Sequence, residues 1–150
     1  MLDTFRPLLD AARDLDVSDT AAAEALLNER FDPQGEAGLA LSAKLLEMLE
    51  AGEIANRGEL PMTFGRVSKA CPESDNFTID VVRMNGAGPK HRHPKGEINY
   101  AIRIAGEPKF DGRNPGWIVF GEGTEHVPTT TGGDMLIVYL LPEGAFEFVK

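Results

Sequence analysis

The chain has 150 residues, the length of one ordinary domain, and 42% of them are apolar while 26% are charged, as in globular proteins. Its net charge of −9 argues against a nucleic-acid-binding surface, which is usually basic. No apolar run approaches the roughly 20 residues that span a bilayer, and the N-terminus lacks the features of a signal peptide. The single cysteine, Cys71, excludes an internal disulfide, so we expect a cytoplasmic protein without a membrane partner.

The first third of the chain predicts three helices. Apolar residues recur at helical intervals over 3–15, and Ser18-Asp19 offers N-cap chemistry for a second helix over 20–30. A third helix is predicted over 36–51, because Gly52 suits the left-handed position that follows a helix. We therefore expect residues 1–57 to form a helical layer that packs on the rest of the chain.

Short β-rich runs separated by turn residues follow the helices. They predict strands near residues 62–68, 76–84, 97–104, 117–120, 126–129, 134–141 and 145–149. Many short strands at regular spacing are typical of an antiparallel sandwich or barrel. The predicted fold is therefore mainly β, with a β-barrel over residues 58–150 behind the helical layer.

The chain has only three histidines, and their spacing predicts a metal site. His91 and His93 are two residues apart, so both point to one side of a strand, and Glu97 shares that side if the strand resumes after residue 96. His126 follows a glycine-rich turn and can complete the group from a neighbouring strand. Three imidazoles and a carboxylate suit a divalent transition metal and leave one or two coordination positions open.

The spacing of these residues also resembles two sequence motifs of the cupin superfamily. Gly88-x-x-His91-x-His93-x-x-x-Glu97, followed by Gly106, is similar to the first motif, although its glycines are spaced slightly differently. Gly121-x-Gly123-x-x-His126 is similar to the second, with Gly121 in place of the usual proline. The resemblance covers residues 60–150 and implies a double-stranded β-helix with the three histidines and Glu97 as metal ligands. It implies no particular reaction, because cupins include several enzyme classes and non-catalytic proteins.

A narrower resemblance involves the run 91–99 and the closing stretches 128–134 and 140–145. These residues resemble a small family of helix-plus-cupin proteins that includes 4-hydroxylaminobenzoate lyase, an enzyme of aromatic compound degradation. The resemblance implies a lyase that converts 4-hydroxylaminobenzoate to protocatechuate and ammonia. It implies a small aromatic carboxylate as substrate and a divalent metal as cofactor, for which Fe, Mn, Ni, Co, Cu and Zn all stay open. No redox cofactor is required, because N–O cleavage supplies the oxidising equivalents.

A benzoate substrate needs an anchor for its carboxylate. Alternation along the strand from Glu97 places Asn99 and Arg103 on the inner face, and Arg103 can bind a carboxylate through two hydrogen bonds. Arg66 and Arg83 on other strands are alternative anchors. A salt bridge to an acid at the end of the barrel is an equally good interpretation of Arg103.

The outer face of the same strand is mostly apolar, with Ile98, Tyr100, Ile102 and Ile104. We expect helices or a second subunit to cover this face, and on that ground we predict a homodimer. Tyr100, Glu122 and Glu125 are candidates for proton transfer, and nothing in the sequence selects among them. We take Tyr100 from this group, and the predicted catalytic residues are Glu97, Arg103 and Tyr100.

Other features leave alternatives open. Lys90, Arg92 and Lys95 near the histidines form either a solvated rim or a field that attracts an anionic substrate. Trp117 is a candidate for the mouth of the pocket. The alternatives to the lyase are another metal-dependent cupin enzyme, such as a dioxygenase or isomerase, and a non-catalytic protein that binds a small acid. Oxygen uptake distinguishes a dioxygenase from the lyase, and binding without turnover distinguishes the non-catalytic protein.

Overall fold

Three helices begin the structure, a computed structural model that describes residues 1–149. They are α1 (Leu2–Ala12), α2 (Thr20–Arg30) and α3 (Glu36–Glu50). The Asp19 side chain caps α2 by accepting a hydrogen bond from the Ala22 N–H. Gly52 follows α3 with a φ of 75°, the left-handed conformation expected there. Within residues 1–149, no helix combines the length and apolar character needed to cross a membrane.

Two antiparallel sheets follow the helices. Their strands are β1 (Arg57–Glu59), β2 (Met62–Ser68), β3 (Phe77–Met84), β4 (His91–His93), β5 (Glu97–Phe110), β6 (Gly116–Phe120), β7 (Thr124–His126), β8 (Thr130–Pro142) and β9 (Glu147–Phe148). One sheet has the order β1-β2-β3-β8-β5-β6, and the other has the order β7-β4-β9. This arrangement is the expected cupin-like antiparallel β-barrel with an N-terminal helical layer.

The helices cover the outer face of the larger sheet. Alternate side chains of β5, including Ile98 and Tyr100, join one hydrophobic core with the apolar sides of α1, α2 and α3. Phe5, Leu9 and Leu45 from the helices are fully buried in this core. The chain's own helices thus cover the apolar face from which we predict a homodimer. That argument for a dimer therefore no longer holds, and the homodimer stays a prediction.

The inner face of the larger sheet lines the barrel. A second core forms there from side chains of opposite alternation, namely Val82, Met84, Ala101, Phe110, Ile118, Met135, Ile137 and Tyr139. Polar residues interrupt this core where β5 begins, because Glu97 and Asn99 are both fully buried. The smaller sheet faces this polar end, since the His93 ring stacks on Phe120 of the larger sheet at a centroid distance of 5.4 Å.

Several strand boundaries differ from those predicted. The two longest strands, β5 and β8, extend beyond residues 97–104 and 134–141 because they stay paired through two register shifts, one between Arg103 and Ala105 and one between Gly106 and Lys109. A Cβ at Gly132 would lie 2.6 Å from the Glu107 carbonyl oxygen, so glycine there permits close pairing instead of ending the strand. The strand predicted at 126–129 instead ends at His126.

The boundary between the helical layer and the barrel lies in a short segment. Helix α3 ends at Glu50, and β1 begins at Arg57, a strand that the sequence pattern does not predict. β1 pairs with β2, with Arg57 opposite Phe64. The division at residues 57 and 58 stays a prediction.

Candidate metal centre

Four side chains from three strands meet inside the barrel. His91 and His93 are the two inward residues of β4, Glu97 begins β5, and His126 ends β7 directly opposite His91. One potential ligand atom from each residue lies within 4.8 Å of those of the other three. The His91 and His93 Nε2 atoms lie 3.1 and 2.6 Å from Glu97 Oε2, and the Nε2 atoms of His91 and His126 are 3.0 Å apart.

The segment between β4 and β5 brings Glu97 beside the histidines. Gly96 has a φ of 84°, a left-handed conformation that turns the chain between the two strands. A Cβ at Gly96 would lie 2.9 Å from both the Phe120 carbonyl oxygen and a Val17 methyl carbon. Glycine is therefore required here for conformation and for space, and the turn restores the side-chain alternation that places Glu97 in the cluster.

Each imidazole is held by a partner outside the cluster. The Nδ1 atom of His91 lies 3.3 Å from the Pro89 carbonyl oxygen, and that of His93 lies 3.0 Å from the Thr124 hydroxyl. The third, on His126, contacts the Asp111 carboxylate. Nδ1–H groups that donate to these oxygens leave the three Nε2 atoms free to bind a metal, as outer partners of metal-bound histidines commonly do.

Glu97 is fully buried among these imidazoles. Burial alone would raise the pKa of its carboxyl, but in the metal-free site hydrogen bonds and charges from the protonated forms of His91 and His93 outweigh burial and lower the pKa to about 2. The carboxylate is therefore ionised at neutral pH, which is the form that binds metals. Its Oε1 atom has no hydrogen-bond partner within the described chain, although the atom is buried.

These features fit a divalent transition metal. The three Nε2 atoms and an ionised carboxylate converge on one point. The Nε2 atoms of His91 and His126 lie closer together than two unprotonated imidazole nitrogens favour, since their lone pairs repel each other. A cation shared by the group would also satisfy the buried Glu97 Oε1 atom. Nitrogen and oxygen ligands of this kind suit Fe, Mn, Ni, Co, Cu and Zn.

A cavity of about 710 Å³ opens onto the cluster at His91. Most of its lining is apolar and includes Met62, Phe64, Val82, Pro128, Tyr139, Phe146 and Phe148. The Phe146 ring packs against the His91 ring at a centroid distance of 4.6 Å. The cavity also reaches two arginines, Arg57 and Arg66. A flat apolar molecule with one anionic end therefore fits the chemistry of these walls.

The two arginines of the cavity differ in their partners. Arg66 donates two hydrogen bonds to the Asp80 carboxylate, at 2.8 and 3.2 Å, so its charge is balanced. Arg57 forms no hydrogen bond or ion pair with any side chain that the structure describes. The unpaired guanidinium is therefore the one that a substrate anion can bind.

Two of the predicted catalytic residues lie away from the cluster. Arg103 is exposed, and its Nε–H donates to the Gly106 carbonyl oxygen at 2.5 Å. Tyr100 lies on the outer face of β5, where its ring packs against Trp117 at a centroid distance of 4.8 Å. Neither residue lines the cavity at His91. The structure therefore brings only Glu97, of the three predicted catalytic residues, to the histidines.

The other predicted site residues also have structural partners. Arg83 forms an ion pair with Asp134 at 2.6 Å, which occupies it as a carboxylate anchor. Trp117 is buried under the helices, where its Nε1–H donates to the Phe31 carbonyl oxygen at 2.9 Å, so it does not form the cavity mouth. Proton transfer by Glu122 or Glu125 stays a prediction.

The basic residues near the histidines form ion pairs on the surface. Lys90 lies 3.7 Å from Glu125, Arg92 lies 3.5 Å from Glu147, and Lys95 lies 4.0 Å from Glu143. All three pairs are exposed to solvent and contribute little to stability. Because an acid accompanies each base, this rim carries little net positive charge that could attract an anion.

The sequence pattern does not indicate that several other residues lie around the cluster. Asp111 appears in the sequence as part of an Asp-Gly turn, Thr124 as part of a glycine-rich loop, and Arg57 as the end of the helical segment. Alternation along β5 does place Asn99 inside the barrel, which the structure confirms.

Comparisons with known proteins agree on a family. The family model described as PnbB, 4-hydroxylaminobenzoate lyase, matches residues 5–148. A 4-hydroxylaminobenzoate lyase of Pseudomonas putida is 26% identical over 153 residues, covering 89% of this chain and 86% of that protein. Another, from Nocardioides sp. (strain LMS-CY), is 28% identical over 93 residues, covering 55% of this chain and 54% of that protein.

Among solved structures, an RmlC-like cupin protein from Ralstonia eutropha aligns with a TM-score of 0.46 and 16% identity, over 61% of this chain and 62% of that one. The family match spans nearly the whole sequence, and the chain therefore belongs to the 4-hydroxylaminobenzoate lyase family.

Proposed function

We propose that this protein is a metal-dependent lyase that converts 4-hydroxylaminobenzoate and one water molecule to protocatechuate and ammonia. The observation that carries the proposal is the cluster of His91, His93, Glu97 and His126 at the end of an apolar cavity that also reaches an unpaired arginine. The named activity of the relatives supports the choice of substrate. The reaction is balanced without an external oxidant, because the N–O bond of the substrate is broken.

The four clustered residues would hold the metal. When bound, a divalent metal supplies Lewis acidity, which weakens the N–O bond and makes the neighbouring ring carbon electrophilic. The protein holds the three imidazoles in fixed orientations through Pro89, Thr124 and Asp111. Such fixed partners reduce the reorganisation that binding and catalysis require.

The cavity would bind the benzoate part of the substrate. Phe64, Val82 and Phe146 offer apolar surfaces to the ring. Arg57 would bind the carboxylate, because its guanidinium is unpaired whereas Arg66 is already bound to Asp80. Arg57 and His91 both line this cavity, so a ring with its carboxylate at Arg57 would direct its hydroxylamino group towards His91. A carboxylate and a reacting nitrogen in para positions suit this arrangement.

The test is product stoichiometry under anaerobic conditions. The metal-loaded protein is incubated with 4-hydroxylaminobenzoate, and protocatechuate and ammonia are both measured. We expect equal amounts of the two products without oxygen, and no oxygen uptake in air. His93→Ala should lose the activity while retaining the circular dichroism of the folded protein. A requirement for oxygen would instead support a dioxygenase, and tight binding without products would support a binding protein.

A further inference from the structure

Two buried polar side chains face each other inside the barrel without hydrogen-bond partners. Asn99 on β5 lies directly opposite Tyr139 on β8 in the strand register. Asn99 is 0% exposed and Tyr139 is 4% exposed. Neither the amide oxygen and nitrogen of Asn99 nor the hydroxyl of Tyr139 has a partner within residues 1–149. Three polar groups thus remain unsatisfied at one place in the core.

Such an arrangement is costly for a folded protein. A buried donor or acceptor without a partner loses its hydrogen bonds to water and gains none in return. An apolar pair of the same shape would pack here at no such cost, since Ala101 and Ile137 occupy the equivalent positions two residues further along the same strands. Single buried hydroxyls without partners also occur elsewhere in the described chain, at Tyr100 and Thr130. Three such groups at one place differ from these, because one polar group from outside the chain could satisfy them together.

The pair lies beside the candidate metal centre. Asn99 follows Glu97 by two residues and shares its side of β5. The Tyr139 ring lies 6.5 Å from the His91 ring, centroid to centroid, and Tyr139 lines the same cavity. Asn99 lies opposite Tyr139 in the strand register, just beyond the residues that line the cavity. A small group that passes Tyr139 at the inner end of the cavity can therefore meet the amide, the phenol and the clustered ligands.

We propose that Asn99 and Tyr139 recognise the hydroxylamino group of the substrate, with the Tyr139 O–H donating to the hydroxyl oxygen and the Asn99 Oδ1 accepting from the N–H. This inference rests on the proposed function. It assigns the two residues as specificity determinants that distinguish a hydroxylamino group from an alkyl group of similar size. Sites built to hydrogen-bond a substrate strongly disfavour analogues that lack the polar group, because the buried partners are then left unpaired.

The chain offers a matched control for Tyr139. It contains two tyrosines, and Tyr100 is also buried, at 1% exposure, but lies under the helices on the outer face of the sheet. Tyr100→Phe and Tyr139→Phe therefore remove the same atom from the two sides of one sheet. For Asn99, both the similarly sized Asn99→Leu and the smaller Asn99→Ala are measured, so that the test does not depend on one variant folding.

The experiment measures binding of three substrate analogues that do not react, by calorimetry with the metal-loaded protein. In 4-(hydroxymethyl)benzoate the hydroxyl is kept and the N–H is lost, in 4-(methylamino)benzoate the N–H is kept and the hydroxyl is lost, and 4-ethylbenzoate lacks both. We expect Tyr139→Phe to reduce the preference for 4-(hydroxymethyl)benzoate over 4-ethylbenzoate by about tenfold. The Asn99 variants should similarly reduce the preference for 4-(methylamino)benzoate. Tyr100→Phe should keep both wild-type preferences.

Each other outcome has a distinct meaning. Wild-type preferences in the folded Tyr139 and Asn99 variants would overturn the inference and leave the proposed lyase function in place. That result would mean that the pair binds only an internal water molecule. Failure of the wild-type protein to bind any of the three benzoates, together with absence of ammonia release, would overturn the proposed function and this inference with it.

Discussion

Asp111 connects the His126 ring to the backbone three residues further along the chain, at Thr129. One carboxylate oxygen contacts His126 Nδ1, and the other accepts a hydrogen bond from the Thr129 N–H at 2.9 Å. Asp111 has a φ of 49°, a conformation that asparagine also tolerates. The carboxylate thus orients the imidazole and increases its electron density, whereas an amide would only preserve the shape.

We predict that Asp111→Asn weakens metal affinity by about 10- to 100-fold without unfolding the protein. Competition with a coloured chelator measures the affinity, and circular dichroism reports the fold. Asp75→Asn is the control, since Asp75 also has a positive φ, of 53°, but pairs with Arg6 and Arg13 at the helical layer. Equal metal affinity in the Asp111 variant and the wild type would show that Asp111 does not position His126.

Arg57 and Arg103 offer competing anchors for the substrate carboxylate. Arg57 lines the cavity and is unpaired, whereas Arg103 lies outside it. We predict that Arg57→Ala raises KM for 4-hydroxylaminobenzoate about tenfold or more with a smaller change in kcat, because it removes binding common to the ground and transition states. Steady-state kinetics of Arg57→Ala and Arg103→Ala show which arginine binds the substrate carboxylate. A KM effect confined to Arg103→Ala would contradict the assignment of Arg57.

Both tyrosines resist ionisation in the folded chain. Burial raises the pKa of Tyr100 from 10.0 to about 12, although Ser42 lowers it in part. Burial also raises the pKa of Tyr139 well above 10.0, and the nearby negative charges of Glu97, Asp111 and Asp80 add to the effect. A raised folded pKa means that the unfolded chain loses these protons first. The associated stability is thus fully present below the unfolded pKa of 10.0 and is lost as pH rises above it.

An alkaline titration checks this expectation. We predict that phenolate absorbance stays low at pH values just above 10.0, where exposed tyrosines ionise, and then rises together with the loss of circular dichroism. The free energy of unfolding should fall over the same interval. Reversible ionisation of both tyrosines near pH 10.0 in the folded protein would contradict the burial described for them.

The helices contribute stability through one buried face each. On α3, Leu45 is 0% exposed in the core against the sheet, whereas Leu39 on the same helix is 55% exposed. We predict that Leu45→Ala lowers the free energy of unfolding by about 2–5 kcal/mol. Leu39→Ala should change it by no more than about 0.5 kcal/mol. Urea unfolding of the metal-free proteins measures both values, and similar losses in the two variants would contradict this packing.

At the scale of the elements, local patterns predict those parts of the site that depend on alternation. The spacing of His91, His93 and Glu97 predicts a shared side, and the structure brings them together with His126. Arg57 could not be predicted, because its place in the cavity depends on β1 pairing with β2. Asp111 reaches His126 across 15 residues of sequence, through contacts that no local spacing encodes. Strand alternation places Tyr100 on the outer face, so its predicted catalytic role does not follow from alternation.

At the scale of the whole molecule, helices and barrel have separate roles. The helices and the outer face of the larger sheet form one core, and the inner face forms a second core around the clustered ligands. Substitutions in the first core should therefore change stability with little change in metal affinity. Tyr100 has an unpartnered buried hydroxyl in the first core, whereas Asn99, Tyr139 and Glu97 bring such atoms together in the barrel interior. The barrel interior is therefore where we expect the proposed chemistry.

A metal titration tests the role of the four-ligand cluster most directly. Metal-free protein is titrated with a divalent transition metal, and ammonia release from 4-hydroxylaminobenzoate is followed in parallel. We predict that activity rises in proportion to bound metal and saturates at a single metal per chain, and that His93→Ala prevents both. Full ammonia release by the metal-free protein, or by folded His93→Ala, would contradict a metal-dependent lyase centred on His91, His93, Glu97 and His126.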